Sequence, residues 1–332
     1  MYSATDPAWL DARLKERAEK SKQKRLGSRK PDTISIDASK FSAQLSELAN
    51  AIALKVEREG PRVMPSSPIP VDTCVILRQL TQTYNLIRFI NADDTRFENA
   101  AYHQPYSFVL LPLIRTMIDG FYNCTAMLDD PSRSRVFRIS GLYRMRETLE
   151  ADESRYSEDI RWKQHLSKAR DTLEDMMRVD AISDADLANP KNKWPLLGTY
   201  LKGRDTPHKQ MLRKLTLGFW REYSSISHAS FDGLLSIFPF IASGIPHEMR
   251  GEVEDAAERD IAMHFGRTAG LLLCLLTEIQ HFYKFDGAEI DKRLGQLWAA
   301  MIPMVEIREL YDYRFKGLLR EPCAEPDSSA RP

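Results

Sequence analysis

Cysteine is scarce in this sequence, and its distribution argues against a structural zinc site. The 332 residues contain four cysteines: Cys74, Cys124, Cys274 and Cys323. No two of them form a C-x-x-C pair, and no histidine stands near one at the spacing of a zinc ligand set. The sequence therefore predicts no bound metal and no cofactor, and scattered thiols of this kind are typical of a reducing compartment.

Long apolar runs are also missing. The two longest, LLSIFPFIASGI and GLLLCLL, are shorter than the roughly 20 residues that cross a bilayer. The first residues, MYSATDPAWLDARLKER, lack the apolar core of a secretory signal peptide. These absences predict a soluble, cytoplasmic protein without a membrane partner.

Neither sign of charge is in excess. Lysine plus arginine number 47, and aspartate plus glutamate also number 47, so the formal net charge is zero. Binding to nucleic acid would therefore require a local basic patch. Segments 13–30 and 133–146 are rich in lysine and arginine and could hold an RNA backbone, although a solvated, partly helical arm explains the first more simply.

The common catalytic and nucleotide-binding motifs are absent. The sequence has no GxxxxGK[ST] loop, no GxGxxG, no GxSxG and no HExxH. Any enzymatic activity must therefore depend on polar residues scattered within helices.

Apolar residues recur at helical spacing along most of the chain. Few windows alternate with period two and none is bounded like a hairpin, so the predicted fold class is an all-α multi-helix bundle. The longest predicted helix, 251–284, would extend about 50 Å at 1.5 Å per residue. Its middle is apolar on all sides, which places it at the centre of the bundle.

Three other helices have predicted inward faces. Segment 38–58 presents Phe41, Leu45, Leu48, Ile52 and Val56 on one stripe. Segment 72–92 is predicted to turn Val75, Leu77, Leu80, Tyr84, Ile87 and Ile90 inward. Segment 154–178 is predicted to pack through Ile160, Leu166, Ala169, Leu173 and Met177.

Composition divides the chain into four parts. Residues 1–30 read as a basic N-terminal arm, and 31–71 as an amphipathic helix followed by a linker, because GPRVMPSSPIP contains four prolines. Residues 72–318 form the predicted main domain. Residues 319–332 read as a disordered tail.

The segment GFWREYSSISHAS, residues 218–230, is the best candidate for chemistry. On a helix, a polar stripe of Arg221, Ser225, His228 and Asp232 opposes a packing face that contains Tyr223. Arg221 and His228 are two turns apart, about 10 Å along a straight axis. They would act together only through a ligand, a bend in the helix or a second subunit.

Arg115 and Asp119, four residues apart in the apolar helix 106–129, share one helical face. Burying a charge is costly unless it is paired, so both are expected to form ion pairs. Two interpretations remain open: a structural salt bridge that fixes the packing, or a pair that orients a functional side chain.

A second polar set lies on the long helix and comprises Asp260, His264, Glu278 and His281. Glu278 and His281 form an E-x-x-H pair, the spacing that di-iron bundles use twice, but the chain has no second copy. These residues either form a site or cap the ends of a buried apolar segment, and the second interpretation is the simpler one.

The helix LIRTMIDGFYN, followed about a hundred residues later by YSSISH, resembles a broad group of uncharacterised prokaryotic helical proteins. That group has R-x-x-x-E in one helix and Y-x-x-x-S-x-x-H, or a close variant, in a later one. Arg115 and Asp119 match the first pair, with Asp in place of Glu. Tyr223, Ser227 and His228 match the second motif only with altered spacing. The group is similar to the HEPN superfamily and to abortive-infection proteins of bacteria.

The resemblance, which covers about residues 73–284, implies a HEPN-like core and a function. In HEPN ribonucleases an R-x4–6-H motif cleaves RNA without metal, and dimerisation brings two copies together. His228 would then act as general acid or base at a ribose 2′-hydroxyl and Arg221 would stabilise the phosphorane, aided by Tyr223, Arg115 and Asp119. Glu222 stands where these motifs usually have Asn, Asp or His.

Two functions therefore remain open from the sequence. The first is a metal-independent endoribonuclease of a prokaryotic toxin or phage-defence system, acting as a homodimer or with a cognate partner protein. The second is a non-catalytic helical interaction or scaffold component, in which the polar stripe faces solvent or joins a network between helices. A metal-binding bundle is a weaker alternative.

Overall fold

The computed structural model describes residues 38–92, 96–99, 102–105, 110–215, 223–224, 250–285 and 288–319. The chain divides into two compact units, Met1–Ala38 and Ser39–Pro332. The predicted basic arm (1–30) and nearly all of the predicted tail lie outside the described residues.

Helices dominate the described part of the chain, so the all-α bundle is confirmed. In chain order the helices are α1 (Ala38–Val63), α2 (Ile69–Ala92), α3 (Leu110–Asp129), α4 (Arg133–Tyr156), α5 (Ile160–Val179), α6 (Asp184–Ala188), α7 (Leu197–Tyr200), α8 (Pro207–Leu215), α9 (Arg250–Tyr283), α10 (Ala288–Met301) and α11 (Val305–Leu310). A 3-10 turn (Pro190–Asn192) precedes α7, and a π-helical turn (Tyr311–Phe315) follows α11.

The long helix α9 runs through the middle of the core, as its sequence predicts. It packs against α2, α3 and α10. Every residue from Leu271 to Leu276 is buried, because this stretch is covered on all sides. The close approach of α11 requires Gly270, where an added Cβ would lie 2.3 Å from Ile307 Cδ1.

Helix α1 packs its predicted stripe into the same core. Phe41, Leu45, Leu48, Ile52 and Val56 are all buried. Buried polar contacts fix its position against α2: the Tyr84 hydroxyl donates to Ser42 Oγ at 3.1 Å, and Ser46 Oγ donates to Asn85 at 2.6 Å.

Helices α4, α5 and α6 enclose a separate apolar cluster. It is made of Ile139, Leu142, Leu173, Ile182 and Leu187. Asp159 and Ser183 cap the first turns of α5 and α6 by accepting backbone N–H groups, so both helix starts follow from local sequence.

Four sequence expectations are corrected. A short antiparallel hairpin, β1 (Arg96–Asn99) and β2 (Tyr102–Pro105), pairs Arg96 with Pro105 and Asn99 with Tyr102. Strands of four residues are too short to show an alternating pattern.

The proline-rich linker is shorter than expected, because α1 continues to Val63 and α2 begins at Ile69, where Pro70 is tolerated in the first turn.

The other two corrections concern apolar residues that face outward. Val75 is 59% exposed and Ile160 is 82% exposed. Val75 lies on the side of α2 opposite the core, and Ile160 is the first residue of α5. In both cases an apolar side chain at roughly the right spacing was insufficient to identify the buried face.

Candidate functional site

Two of the five predicted catalytic residues, Arg221 and His228, lie outside the described residues. The other members of their polar stripe, Ser225 and Asp232, lie outside them as well. The structure describes the other three: Tyr223, Arg115 and Asp119. It brings Arg115 and Asp119 together as an ion pair, and it places Tyr223 against the long helix α9.

Tyr223 is fully buried, as expected for the packing face of its segment. Its hydroxyl is 2.6 Å from His264 Nδ1, and Arg267 Nη1 donates to the same hydroxyl at 3.4 Å. The Tyr223 and His264 rings meet edge to face, with centroids 5.3 Å apart. This aromatic contact adds to the hydrogen bonds, so the segment is attached to α9 at Tyr223.

Arg267 is held in turn by Glu306 on α11. Its Nε and Nη2 donate to the two carboxylate oxygens at 2.9 and 2.8 Å, a bidentate pair that fixes the guanidinium plane. These hydrogen bonds lower the pKa of Glu306. We call Glu306, Arg267, Tyr223 and His264 the Tyr223 cluster.

His264 is neutral in the Tyr223 cluster. Burial lowers its pKa to about 4, and repulsion by Arg267 adds to the effect. The Tyr223 hydroxyl accepts from Arg267 and also lies within hydrogen-bond distance of His264 Nδ1, so a neutral imidazole protonated on Nε2 can accept the phenol proton. The cluster thus holds a histidine in its basic form at neutral pH.

Arg115 and Asp119 form the predicted pair on α3. Arg115 Nη2 lies 2.9 Å from Asp119 Oδ1, with the arginine side chain 17% exposed and the aspartate 48%. Burial lowers the pKa of Arg115 below its usual value, and the attraction to Asp119 offsets only part of this effect. The prediction of an ion pair is confirmed, and its functional interpretation stays a prediction.

Glu278, from the second polar set, belongs to a buried network that the sequence did not reveal. Its carboxylate receives two hydrogen bonds from Arg314, at 2.8 and 2.9 Å, and lies 3.2 Å from His208 Nε2. On the other side of the imidazole, His208 Nδ1 lies 3.2 Å from Asp129 Oδ1. We call Asp129, His208, Glu278 and Arg314 the His208 cluster.

The charges of the His208 cluster balance. Burial alone would lower the pKa of His208, but its hydrogen bonds to Asp129 and Glu278 raise it to about 9. Hydrogen bonds from His208, Tyr200 and Thr206 outweigh burial and lower the pKa of Asp129 to about 2. An imidazolium between two carboxylates has both ring protons engaged, so this cluster joins α3, α8, α9 and the π-helical turn rather than transferring protons.

The di-iron alternative has no support in the described part of the chain. Glu278 is occupied by His208 and Arg314, and no group of three or more His, Cys, Asp or Glu side chains there is arranged to hold a metal ion. The side chain of Asp260 lies outside the described residues. The alternative that this set merely caps an apolar segment is also incomplete, since Glu278 connects α9 to α8 through His208 and to the π-helical turn through Arg314.

The arginines of the basic segment 133–146 bind carboxylates and carbonyl groups of this chain. Arg138 bridges Asp72 and Asp180, and Arg135 donates to the Asp180 carbonyl at 3.1 Å. Arg133 pairs with Asp130, Arg146 pairs with Asp184, and Arg144 is exposed. Phosphate binding along α4 would therefore require exchange of ion pairs that already exist.

A cavity of about 440 Å³ opens beside Arg135 and Arg138, at the turns that follow α1 and α5. Its other lining residues include Ser66, Val71 and Asp180. Both arginines already bind acceptors of this chain, so an ion in the cavity would compete with existing hydrogen bonds. It does not include any of the predicted catalytic residues that the structure describes.

Comparisons with protein-family models, with curated proteins and with solved structures gave no match to this chain. Among the residues that the structure describes, no helix has the length and apolar character needed to cross a membrane.

Proposed function

We propose that this chain is a HEPN-like protein of a prokaryotic defence or toxin system that cleaves RNA without metal, with Arg221 and His228 as the reacting groups. One observation carries the proposal. Tyr223, which lies between Arg221 and His228 in the sequence, is fully buried and hydrogen-bonded to His264. The segment that carries the motif is thus attached at Tyr223 to the helix at the centre of the bundle.

The chemistry follows from the residue types. His228 would take the proton of a ribose 2′-hydroxyl, and the 2′-oxygen would attack the adjacent phosphorus. Arg221 would stabilise the charge of the pentacoordinate phosphorane. The bond to the 5′-oxygen breaks and that oxygen takes up a proton, which leaves a 2′,3′-cyclic phosphate and a 5′-hydroxyl.

The Tyr223 cluster supports this chemistry by position. His264 and Arg267 hold the Tyr223 hydroxyl, and two hydrogen bonds to Glu306 fix the Arg267 guanidinium. We assign His264 a supporting role, because a base whose pKa is about 4 has little driving force to deprotonate a hydroxyl.

A specific observation favours a second candidate, a non-catalytic interaction component. Four of the five arginines in segment 133–146 are engaged within the chain, which reduces the cationic surface available to RNA. An exposed apolar face on α2 offers a surface for protein contact instead.

Expression of variants in bacteria separates the two candidates. The ribonuclease predicts that wild type arrests growth and degrades cellular RNA, while His228→Ala and Arg221→Ala do neither. His165→Ala is the matched control, since His165 is an exposed histidine on α5, and it should behave as wild type. Equal growth and equal RNA integrity for wild type and His228→Ala would favour the interaction component.

A further inference from the structure

The outward side of α2 is largely apolar. Val71 is 56% exposed, Val75 59%, Leu86 46% and Phe89 66%. At 100° per residue these four positions fall within about 60° of one another, so they form one stripe. We call it the α2 stripe. It extends from Val71 to Phe89, or about 27 Å of helix.

The α2 stripe contains little charge. Between its two apolar ends the exposed positions are Arg78, Gln79 and Gln82. Arg78 is already neutralised, because its Nη2 lies 2.6 Å from a carboxylate oxygen of Glu57 on α1. Two copies of this surface can therefore approach each other without bringing like charges together.

The order of residues along the α2 stripe is symmetric. Val71 and Phe89 are equally far from residue 80, Val75 and Leu86 nearly so, and Arg78 and Gln82 lie two positions to either side. In an antiparallel pair, the valines of one copy would meet the larger Leu86 and Phe89 of the other. Small residues would face large ones, and an arginine would face an amide that can accept its hydrogen bond.

We propose that the α2 stripe is a self-association surface, on which a second copy of this chain packs its own α2 in antiparallel orientation about a two-fold axis near residue 80. The self-complementary order is what an isologous interface requires, because each contact then occurs twice. This proposal does not depend on ribonuclease activity.

Other occupants fit this surface less well. RNA would require several free cations, whereas the stripe has one arginine that is already paired. A helix that lies on a membrane surface is rich in lysine or arginine beside its apolar face. In α2, the exposed polar positions beside the stripe include the uncharged residues Gln79 and Gln82.

The size of the surface predicts moderate affinity. Helix α2 has 24 residues and is about 36 Å long, so a strip about 10 Å wide covers roughly 360 Å² per copy. The area buried on each copy is thus below the roughly 800 Å² per partner of a standard interface, so the dimer should dissociate on dilution.

Sedimentation of the full-length chain across a concentration series tests the surface. Wild type should shift from dimer to monomer with a dissociation constant on the order of micromolar. Val75→Glu and Phe89→Glu should each weaken association at least tenfold, because each places two carboxylates inside the interface. Ile160→Glu is the matched control: it changes an even more exposed apolar residue, on α5, and should leave the dissociation constant unchanged.

Cysteine cross-linking tests the orientation. The double variant Val71→Cys, Phe89→Cys should form disulfide-linked dimers, since each new thiol meets the other type across the axis. Val71→Cys alone should not, because its counterpart lies at the far end of the helix pair. The native thiols Cys74, Cys124 and Cys274 are buried, which limits their interference, and Cys323, which lies outside the described residues, is replaced by serine in every variant.

Three results would overturn the proposal. The first is a wild type that stays monomeric at all concentrations up to about 100 µM, well above the predicted dissociation constant. The second is a dimer that both glutamate variants leave intact. The third is efficient cross-linking of Val71→Cys alone. Binding of wild type to phospholipid vesicles that Phe89→Glu abolishes, with no dimer, would assign the stripe to a membrane surface instead.

Discussion

Two histidines of this protein should give its stability a maximum near pH 6.5, with separate causes on the two sides. The pKa of His208 is raised from 6.5 to about 9, and that of His264 is lowered from 6.5 to about 4. A pKa that differs between the folded and unfolded chains makes the free energy of unfolding depend on pH.

On the alkaline side, the folded chain keeps the His208 proton that the unfolded chain has lost. The stabilisation is therefore complete below pH 6.5 and disappears as the pH rises through about 9. At about 1.36 kcal/mol per pKa unit the full effect is about 3 kcal/mol, of which about 2 kcal/mol is lost between pH 6.5 and 8.5. Burial raises the pKa of the Cys124 and Cys274 thiols, so ionisation of these thiols in the unfolded chain adds to the decline towards pH 8.5. The difference between wild type and a His208 variant therefore isolates the histidine.

On the acidic side, the sign is reversed for His264. Below pH 6.5 the unfolded chain takes up a proton that the buried imidazole refuses, so stability falls as the pH falls towards about 4, by about 3 kcal/mol. Carboxylates titrate in the same region. The comparison must therefore be made between wild type and a His264→Gln variant.

Urea unfolding followed by tryptophan fluorescence, at pH 6.5, 7.5 and 8.5, measures the alkaline effect. Wild type should lose about 2 kcal/mol across this range, while His208→Gln should be less stable at pH 6.5 but much less dependent on pH. His165→Gln, a change at an exposed histidine, should keep the wild-type slope. An equally steep decline in His208→Gln would refute the assignment of the effect to the His208 cluster.

Two further predictions concern packing and the Tyr223 cluster. Gly270→Ala should lower the free energy of unfolding by about 1–3 kcal/mol, because the added Cβ would collide with the buried Ile307. Gly141→Ala should raise it by about 0.5–1 kcal/mol, because no atom lies within 4 Å of the added Cβ. Equal effects of the two substitutions in thermal or chemical unfolding would contradict this packing. Glu306→Gln should lower the pKa of His264 further and cost about 1 kcal/mol, because the pair with Arg267 is partly exposed to solvent. Titration of the His264 ring by NMR measures the change in its pKa, and an unchanged pKa in Glu306→Gln would contradict an electrostatic effect of Glu306 on His264.

The parts of the fold that the sequence predicts are those with strong local patterns. The stripe of α1 and the wholly apolar middle of α9 each identify their buried surface, since no other arrangement removes so much apolar area from water. The Arg115–Asp119 pair was also predictable, because i and i+4 side chains on a helix meet regardless of tertiary structure.

The clusters were not predictable, because their members come from distant parts of the chain. His208 contacts Asp129 and Glu278 across 79 and 70 residues, and nothing in local spacing chooses these partners over the many other carboxylates. A buried ion pair is selected by which helices pack together, and the sequence indicates only that a buried charge needs some partner. Val75 was misassigned because α2 is apolar on both its inner and its outer side.

We propose that the segment anchored by Tyr223 performs metal-independent RNA cleavage. The most direct measurement incubates purified protein with end-labelled RNA in the presence of EDTA and identifies the product termini. Wild type and His165→Ala should release fragments that end in a 2′,3′-cyclic phosphate, and His228→Ala should be inactive although equally folded. Intact RNA with wild type, or the same cleavage with His228→Ala, would contradict the proposed function.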